Sequence, residues 1–520
     1  MHRYFLWIAG VFFMAAASAQ PLAPLPETPP PLRWFDHAGP TDNAFVALDA
    51  LTQAHSHGLE PADYQAAALK SAVLGRAAAG SSDPAQWAPL DAALTQALLR
   101  YLRDLHQGRL NPRTLQHEFK APATPPFDPQ AYLDAALAGQ YLSQALDQAA
   151  PRLPLYQAIR DAMQHYRRLD AQAWEIPLVI PRGRKSVKPG EPYDQLAALA
   201  QRLVTLGDLP LGSTVAASYD DALAHGVQSF QERHGLQADG VLGAQTLAAL
   251  NTPPAERVTQ MALTLERLRW TPLLHAPRMI VVNIPEFTLR AYEVQGQEVD
   301  IKLEMRVIVG KALNTRTPVF QEDMRFIEFS PYWNVPPSIA RGETLPRLRR
   351  DPAYFAGQGF EFVTREGQVV TELTPQAIDA VARGEWRIRQ RPGPANALGD
   401  IKFIFPNDQN IYLHHTPSPG LFERVRRDFS HGCIRIEYPV ELAKFVLDNN
   451  PLWPESRIRQ AMSAGKSQTI RLDQAIPVLI AYSTAVVKSG KVYFFPDIYQ
   501  QDSRLHAALK SRAAAPLPLP

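Results

Sequence analysis

The residues best suited to covalent chemistry lie between positions 411 and 436. A thiol becomes a useful nucleophile when a nearby base or positive charge favours its thiolate, and a neighbouring glycine lets a substrate backbone approach closely. A free cysteine is more often a small buried apolar residue. The surrounding sequence therefore has to decide between these two interpretations. The stretch contains the only cysteine among 520 residues and three of the 14 histidines: Cys433, His414, His415 and His431.

The spacing of these residues follows a recognisable motif. Residues 430–435 have the sequence Ser-His-Gly-Cys-Ile-Arg, and fifteen residues, 415–429, separate them from His414. This pattern resembles the signature of the L,D-transpeptidase catalytic domain, the YkuD family. Because segments matching the same family occur in the same order over residues 280–440, the resemblance favours a catalytic role for Cys433. The matching segments are 309–311, 317–319, 330–336 and 391–399.

The resemblance implies a catalytic pair. Cys433 is the expected nucleophile, and His414 is the expected base that takes its proton, which gives a thiolate–imidazolium pair. The carbonyl group of His415 is expected to orient the His414 ring, in the role of the third member of a Cys-His triad. Backbone N–H groups of Gly432 and Cys433 are expected to form the oxyanion hole, where each donor contributes about 3 kcal/mol.

Other residues of the motif are expected to support this centre. Ser430 and His431 belong to the active-site loop, and His431 is expected to line the oxyanion hole or fix the loop rather than act as the base. Arg435 is expected to hold a substrate carboxylate or to buttress the loop. Three residues are assigned to substrate binding, with core packing as an equal alternative for the two aromatic ones: Tyr412, Trp333 and Asn396.

The resemblance also implies the substrate. The thiolate would attack the amide that joins the third residue of a peptidoglycan tetrapeptide to its terminal D-alanine, and D-alanine would leave. A side-chain amine of a neighbouring stem would then resolve the acyl-enzyme and form a 3→3 cross-link, so tetrapeptide stems are the expected donor and acceptor. Water as the acceptor would make the protein an L,D-carboxypeptidase. A carbapenem is expected to acylate the same cysteine.

Two other classes of function remain as alternatives. A cell-wall-binding scaffold without activity is one, and the intact motif around His414 and Cys433 argues against it. A papain-like endopeptidase is the other; its cysteine would lie near the mature N-terminus with the histidine far downstream, the reverse of the order here. No cofactor and no metal site are expected, because the chain has no cysteine pair and no His-Glu-x-x-His pattern.

The first residues have the pattern of a secretory signal. The basic pair His2-Arg3 precedes an apolar run from Tyr4 to Ala17, and the small residues 17–19 end it. Cleavage after Ala19 is predicted, with an uncleaved membrane anchor as the alternative; the run is shorter than the roughly 20 apolar residues of a spanning helix, and its small-residue end favours cleavage. We therefore predict a signal peptide at 1–19, a proline-rich spacer at 20–32, and an exported, periplasmic, cell-wall-associated protein without an integral membrane segment after cleavage.

Composition predicts several packed domains and no nucleic-acid partner. The 520 residues are 46% hydrophobic and 20% charged, with a net charge of +2. This length exceeds a single domain of roughly 100–200 residues, and the charge balance gives no electrostatic attraction to nucleic acid. The predicted fold class is a multidomain α+β protein with an α-helical N-terminal region, a small three-helix module and a C-terminal, mainly β domain.

Periodicity and further resemblances give the expected boundaries in the first half. Residues 33–211 are predicted to be helical, with an apolar stripe between Leu90 and Leu105, and they resemble the scaffold domain of large, YcbB-like family members. Residues 212–252 resemble a peptidoglycan-binding domain, which implies glycan strands as a partner. Residues 253–276 are predicted to form a helix that connects the scaffold to the catalytic domain.

The catalytic domain is expected at 277–500. Runs of β-branched and aromatic residues after Pro277 predict several short strands. Residues 337–388 are predicted to be an insertion, a capping subdomain that gates the substrate and excludes water, with a surface decoration as the alternative. Residues 501–520 are predicted to be a C-terminal tail, disordered from Ala513 onward.

Overall fold

The computed structural model describes residues 32–80, 83–115, 127–213, 218–271, 276–296, 298–313, 315–447 and 450–512. The predicted signal peptide and all but the last residue of the predicted spacer lie outside these ranges, as does the tail from Ala513 onward. Within the described ranges, no helix combines the length and apolar character needed to cross a bilayer.

The N-terminal part is a helical scaffold over one hydrophobic core. A short hairpin, β1 (Phe35–Asp36) and β2 (Gly39–Pro40), precedes the helices. The longest helix buries every residue of the predicted stripe between Leu90 and Leu105, so that prediction is confirmed. The helices are α1 (Asp42–Thr52), α2 (Ala66–Ala78), α3 (Pro84–Gln107), α4 (Pro129–Ala138), α5 (Leu142–Ala149) and α6 (Pro154–Arg167), with 3₁₀ turns at Ala54–His57, Pro61–Tyr64 and Pro112–Thr114.

A three-helix module with its own core follows the scaffold. Its helices are α7 (Leu196–Thr205), α8 (Asp221–Arg233) and α9 (Ala244–Asn251), preceded by a 3₁₀ turn at Ala171–Trp174. Residues as early as Leu178 and Val187 pack into this core, and Val187 forms an isolated bridge with Leu242. The module therefore begins well before residue 212. The predicted boundary was too late because the motif that marks it covers only the last two helices.

The predicted connecting helix is α10 (Pro254–Leu268). Met261, Leu265 and Leu268 lie on one face and enter the scaffold core, against α6. The helix thus returns the chain to the scaffold before the catalytic domain begins, as its periodicity indicates.

The catalytic domain is mainly β, as predicted, with most of its strands in one large sheet. Its strands in chain order are β3 (Arg278–Asn283), β4 (Thr288–Gln295), β5 (Glu298–Gly310), β6 (Phe320–Phe329), β7 (Trp333–Asn334), β8 (Phe360–Val363), β9 (Val369–Val370), β10 (Arg387–Gln390), β11 (Ile401–Ile404), β12 (Leu413–His414), β13 (Asp428–Ser430), β14 (Ile434–Ile436), β15 (Gln468–Ala481), β16 (Ala485–Lys488) and β17 (Lys491–Phe494). The helices are α11 (Pro337–Ile339), α12 (Leu345–Arg350), α13 (Ala353–Gly357), α14 (Pro375–Arg383), α15 (Pro439–Val446), α16 (Glu455–Ser463) and α17 (Gln501–Ser511), with a 3₁₀ turn at Pro419–Glu423.

The main sheet has nine strands in the order β13-β5-β14-β12-β11-β6-β15-β3-β4. It closes on itself because the long strand β5 also pairs with β4 through its first part and with β14 through Val307 and Ile308. Closure encloses a core of alternating side chains such as Leu413, Ile434 and Ile436. The alternate side chains of the same central strands face away from this core and are available to form a site.

The predicted insertion is a separate small subdomain, which we call the cap (residues 333–390). A four-stranded sheet in the order β7-β10-β8-β9 packs against α12, α13 and α14 around its own hydrophobic core. A π-helical turn, Ala340–Thr344, links α11 to α12. An independent core shows that the cap is a folded unit and not a loose loop.

The predicted C-terminal tail is wrong for residues 501–511. They form α17, which buries Leu505 and Leu509 against Met279 and Leu479 of the catalytic sheet. The apolar residues are spaced by four, which is the helical period, but two leucines in a short charged segment gave too weak a signal to outweigh the position at the chain end.

Candidate active site

Two neighbouring parallel strands bring the predicted catalytic residues together. In the register of β12 and β14, Leu413 lies opposite Ile434 and His414 lies opposite Arg435. The Ile434 N–H donates to the Tyr412 carbonyl oxygen at 3.0 Å, so the same register extends back towards Cys433. Since side chains alternate along a strand, the sulfur, the imidazole, the phenol and the guanidinium share one face while the leucine and isoleucine enter the core.

The loop before β14 is held in shape by two hydroxyl groups. Gly432 has φ +117°, a backbone conformation that favours glycine, and its N–H donates to Ser430 Oγ at 3.1 Å. Ser430 Oγ in turn donates to the Cys433 carbonyl oxygen at 2.5 Å. Thr317 Oγ1 donates to the Gly432 carbonyl oxygen at 2.7 Å and accepts from the Gly310 N–H at 2.9 Å. Ser430 thus supports the loop as expected, whereas the role of Thr317 was missed.

One expected oxyanion donor already has a partner in this structure. The Gly432 N–H donates to Ser430 Oγ, and its expected role in the oxyanion hole stays a prediction. The described residues offer no acceptor to the Cys433 N–H. The Tyr412 hydroxyl forms a hydrogen bond with the Cys433 sulfur and is a second donor on the same face.

The His414 ring is oriented by the contact that the sequence analysis expects. Its Nδ1 lies 2.5 Å from the carbonyl oxygen of His415. Because a carbonyl oxygen only accepts, Nδ1 carries the proton and Nε2 is left as the basic nitrogen. The thiol of Cys433 is 3.5 Å from the carbonyl oxygen of Asn410. No hydrogen bond joins the thiol to the imidazole in the part of the chain that the structure describes, and such contacts often tighten only when substrate binds.

Burial makes the resting pair neutral. Burial and the charge of Arg435 lower the pKa of His414 to about 3. Burial also raises the pKa of the Cys433 thiol, against the opposing effect of its hydrogen bonds with Tyr412. At neutral pH the imidazole is therefore unprotonated and the thiol keeps its proton. Both shifts favour a neutral pair over the expected thiolate–imidazolium pair, which stays a prediction.

A polar row crosses the sheet beside this pair. Register places Lys402 opposite His414 and Glu328 opposite Lys402. Lys402 Nζ lies 4.0 Å from the Tyr412 ring centroid and 4.0 Å from Glu328 Oε2, and burial lowers its pKa. Neither residue was predicted, although the position of Lys402 between Ile401 and Phe403 in a strand indicates that it faces away from the core.

Arg435 lies on the same face as the nucleophile, with its Nε buried and without a hydrogen-bond partner among the described residues. Burial lowers the pKa of its guanidinium, while a charge on Cys433 would raise it. A buried guanidinium without a fixed partner is suited to an anionic group of a ligand. Its predicted contact with a carboxylate stays a prediction.

His431 links the active-site loop to the cap. Its Nε2 lies 2.7 Å from Glu343 Oε1, and the two side chains are 31% and 60% exposed. Glu343 belongs to the π-helical turn of the cap. The cap therefore reaches the residue that lies two positions before Cys433, which favours the prediction of a capping subdomain over that of a surface decoration. Glu343 was not identified from the sequence, because only the tertiary structure brings the cap to this loop.

Two of the three assigned substrate-binding residues have structural contacts instead. Asn396 is buried, and its side-chain amide donates to the carbonyl oxygens of Pro331 and Arg391 at 2.9 and 3.0 Å. Its own Oδ1 accepts from the Leu398 N–H at 2.8 Å, so the side chain holds a turn. Trp333 packs against the hydrophobic core of the cap. The Tyr412 ring centroid lies 5.7 Å from that of His414, on the face of Cys433, and its predicted contact with substrate stays a prediction.

Across the described ranges, no three His, Cys, Asp or Glu side chains cluster in a way that could hold an ion. The face that carries Cys433 presents a thiol, an imidazole, a phenol and two partly buried cations.

Three parts of the chain match models of known protein families. Residues 277–454 match the family model of the L,D-transpeptidase catalytic domain. Residues 193–250 match that of a peptidoglycan binding domain, and residues 30–163 that of a scaffold domain. A curated Haemophilus influenzae protein, provisionally named an L,D-transpeptidase, is 33% identical over 281 residues, 52% of this chain and 55% of the relative. The chain thus spans about half the length of this curated relative.

Solved structures add little beyond these matches. The crystal structure of an L,D-transpeptidase from Xylanimonas cellulosilytica is 14% identical, with 58% of this chain and all of that chain covered at a TM-score of 0.17. A Bdellovibrio bacteriovorus structure is also 14% identical, with 45% and 56% covered at a TM-score of 0.17.

Proposed function

We propose that this protein is an L,D-transpeptidase that forms 3→3 cross-links in peptidoglycan, since residues 277–454 match the family model of the L,D-transpeptidase catalytic domain. Its donor is a tetrapeptide stem, and its products are D-alanine and an amide-linked dimer of stems. The observation that carries the proposal is the shared face of Cys433, His414, Tyr412 and Arg435, fixed by the register of two parallel strands. This face combines a nucleophile, a base, a hydrogen-bond donor and a cation.

In the acylation step, the Cys433 sulfur attacks the carbonyl carbon of the amide before the terminal D-alanine. The thiol proton moves to His414 Nε2 as the C–S bond forms, since both groups are neutral at rest. The oxyanion is stabilised by the Cys433 N–H and the Tyr412 hydroxyl. His414 then gives its proton to the departing amine, the C–N bond breaks, and D-alanine leaves a thioester behind.

In the second step, an unprotonated side-chain amine of another stem attacks the thioester. His414 Nε2 takes a proton from the attacking nitrogen and returns it to the sulfur as the C–S bond breaks. The result is a new amide and a free thiol. Arg435 is placed to bind a stem carboxylate near the sulfur, and the cap limits access of water, which would otherwise give the L,D-carboxypeptidase product.

The remaining domains support a cell-wall location. The module at 193–250 matches a peptidoglycan binding domain, and we propose that it binds glycan strands and keeps the catalytic domain near its substrate. The predicted signal peptide gives the protein an exported, periplasmic location. A carbapenem would acylate Cys433, because its strained amide presents the same carbonyl to the thiol.

The test is mass spectrometry of the products from disaccharide-tetrapeptide incubated with the full chain. Wild type is expected to release D-alanine and form 3→3 dimers, whereas Cys433→Ala forms neither. His414→Gln is expected to lower the rate by roughly 10²–10⁴-fold, the usual contribution of a general base. His55→Gln, at an exposed histidine of the scaffold, is the matched control and should keep full activity. Equal dimer formation by wild type and Cys433→Ala would show that the nucleophile is assigned wrongly.

A further inference from the structure

The cap presents a carboxylate to the nucleophile loop from the solvent side. In the π-helical turn Ala340–Thr344, the first and last residues are buried in the cap while residues 341–343 are exposed. Turns of this type are rare and are frequent at functional sites. Here the turn directs Glu343 away from the cap core and onto His431 at 2.7 Å.

Only one oxygen of the Glu343 carboxylate has a hydrogen-bond contact among the described residues. Glu343 Oε1 contacts His431, and Oε2 has no hydrogen-bond partner in the part of the chain that the structure describes. The side chain is 60% exposed, so a ligand can reach it from solvent. Two other carboxylates lie near the site, but they face different groups: Glu328 faces Lys402, and Asp400 faces His415. Glu343 is therefore the carboxylate that meets the nucleophile loop from its open side.

The positive charges around the Cys433 sulfur explain why a negative charge at Glu343 matters. Lys402 and Arg435 place positive charge on the same face as Cys433. Such a face attracts the carboxylates of a donor stem and repels an ammonium group. The acceptor in the proposed reaction is an amine that is largely protonated at neutral pH, with a side-chain pKa of about 10.4 for a lysine-like group. An acceptor therefore needs a local negative charge to come near the thioester.

Resting on the proposed function, we propose that Glu343 binds the ammonium group of the acceptor stem. The acceptor approaches from the cap side, exchanges a hydrogen bond of water for one with Glu343 Oε2, and lies beside the loop that carries the thioester. It loses one proton to solvent before attack and a second to His414 as the C–N bond forms and the C–S bond breaks. Glu343 thus determines specificity for a charged amine over water, and His431 positions the carboxylate.

The experiment separates the acceptor step from acylation. Glu343→Gln keeps the shape and removes the charge, so D-alanine release, which reports acylation of Cys433, is expected to stay within about twofold of wild type, while the ratio of 3→3 dimer to tripeptide falls roughly fivefold, as expected for a partly exposed charge contact. Glu343→Asp should restore part of the ratio. Glu385→Gln, at an exposed carboxylate of the cap paired with Arg383, is the matched control and should leave the ratio unchanged.

Two small acceptors test charge directly. Methylamine is protonated at neutral pH, whereas hydroxylamine is largely uncharged. Glu343→Gln is expected to reduce capture of the acyl-enzyme by methylamine and to leave capture by hydroxylamine unchanged, and added salt should weaken methylamine capture in wild type only. An unchanged dimer-to-tripeptide ratio, or an equal loss with both small acceptors, overturns the proposal. Absence of any acyl-enzyme in wild type overturns the proposed function itself, and this inference with it.

Discussion

At the residue scale, the reactivity of Cys433 depends on burial more than on charge. Its pKa is raised and that of His414 is lowered for the same reason, because a charged group loses hydration inside the protein. A neutral pair avoids a reactive thiolate in the resting enzyme. It also keeps the imidazole unprotonated over a wide pH range, as the proposed base requires, since its pKa is about 3.

Alkylation of the thiol by iodoacetamide should show this neutrality. The reaction rate is expected to rise about tenfold per pH unit from pH 6 to 9 without a plateau, because the thiolate fraction grows up to a pKa above the usual value of about 8.5. With a single cysteine in the chain, the signal comes from Cys433 alone, and free cysteine in the same buffers is the reference. A plateau below pH 7 would indicate a preformed thiolate.

The pKa of His414 predicts how the rate of acylation depends on pH on the acidic side. Its unprotonated form is present above about pH 3, so acylation by tetrapeptide should not fall between pH 7.5 and 5.5 through protonation of the base. The comparison is kcat/KM for D-alanine release over that range. A tenfold fall centred near pH 6.5, the ordinary pKa of histidine, would contradict the neutral, buried base.

Thr317 is predicted to matter although it touches no substrate. Its buried hydroxyl joins the Gly310 N–H to the Gly432 carbonyl oxygen. Thr317→Val keeps the shape and leaves both groups unpaired, at about 1–3 kcal/mol per group. We expect a lower midpoint of thermal unfolding and slower acylation, because the loop of Cys433 loses an anchor. Thr259→Val is the control, since its hydroxyl bonds only to its own helix; equal effects of the two substitutions would contradict the anchoring role.

The sequence motif predicts contacts between neighbouring residues better than contacts between residues that are far apart in the sequence. The contact between His414 and the His415 carbonyl group was expected, because adjacent residues in a strand leave few arrangements. Asn396 was assigned to substrate binding and instead holds a turn, since an amide fits both roles and only the fold decides which partners it meets. Lys402 reaches the site through the pairing of β11 with β12, and Glu343 lies 88 positions before His431, so no local sequence pattern indicates either contact.

At the element scale, the cap is built to be separable from the sheet. The chain enters through β7 and leaves through β10, and these strands pair so that Asn334 lies opposite Arg389. The two ends are therefore adjacent, and the cap core lies between them. Sequence patterns located this insertion, because helical segments interrupt the alternation of the strands. They did not predict the closed sheet, because the second pairing of β5 depends on tertiary structure.

Excision of the cap tests its function as a gate. Replacing residues 335–388 with Asn-Gly makes a two-residue turn between the paired ends, a connection that suits antiparallel strands. We expect the remaining domain to fold and Cys433 to be acylated by a carbapenem, while hydrolysis replaces cross-linking as the main outcome because water enters freely. The measurement is the dimer-to-tripeptide ratio, with Cys433→Ala in the same background as the blank. An unchanged ratio would show that the cap does not control the acceptor.

At the scale of the whole molecule, the last helix joins the scaffold to the catalytic domain. Leu505 and Leu509 of α17 pack on the catalytic sheet. Just after the helix, Arg512 donates two hydrogen bonds to Asp104 of α3, at 3.1 and 3.0 Å. Tyr64 donates a third at 3.1 Å, so a buried carboxylate of the scaffold depends on the far end of the chain.

Loss of the contact between Arg512 and Asp104 should destabilise the junction of the scaffold and the C-terminal helix and leave the candidate active site unchanged. Arg512→Ala leaves Asp104 with one protein donor, and we expect a cost of about 1–2 kcal/mol, at the low end for a buried pair because the arginine side chain is 31% exposed. The readout is the rate of proteolysis near residues 500–512 together with thermal unfolding, while D-alanine release at 25 °C should be unchanged. Arg504→Ala, at an exposed position of the same helix, is the control. If Arg512→Ala and Arg504→Ala are equally stable, the carboxylate of Asp104 is adequately paired without Arg512, and this contact does not stabilise the junction.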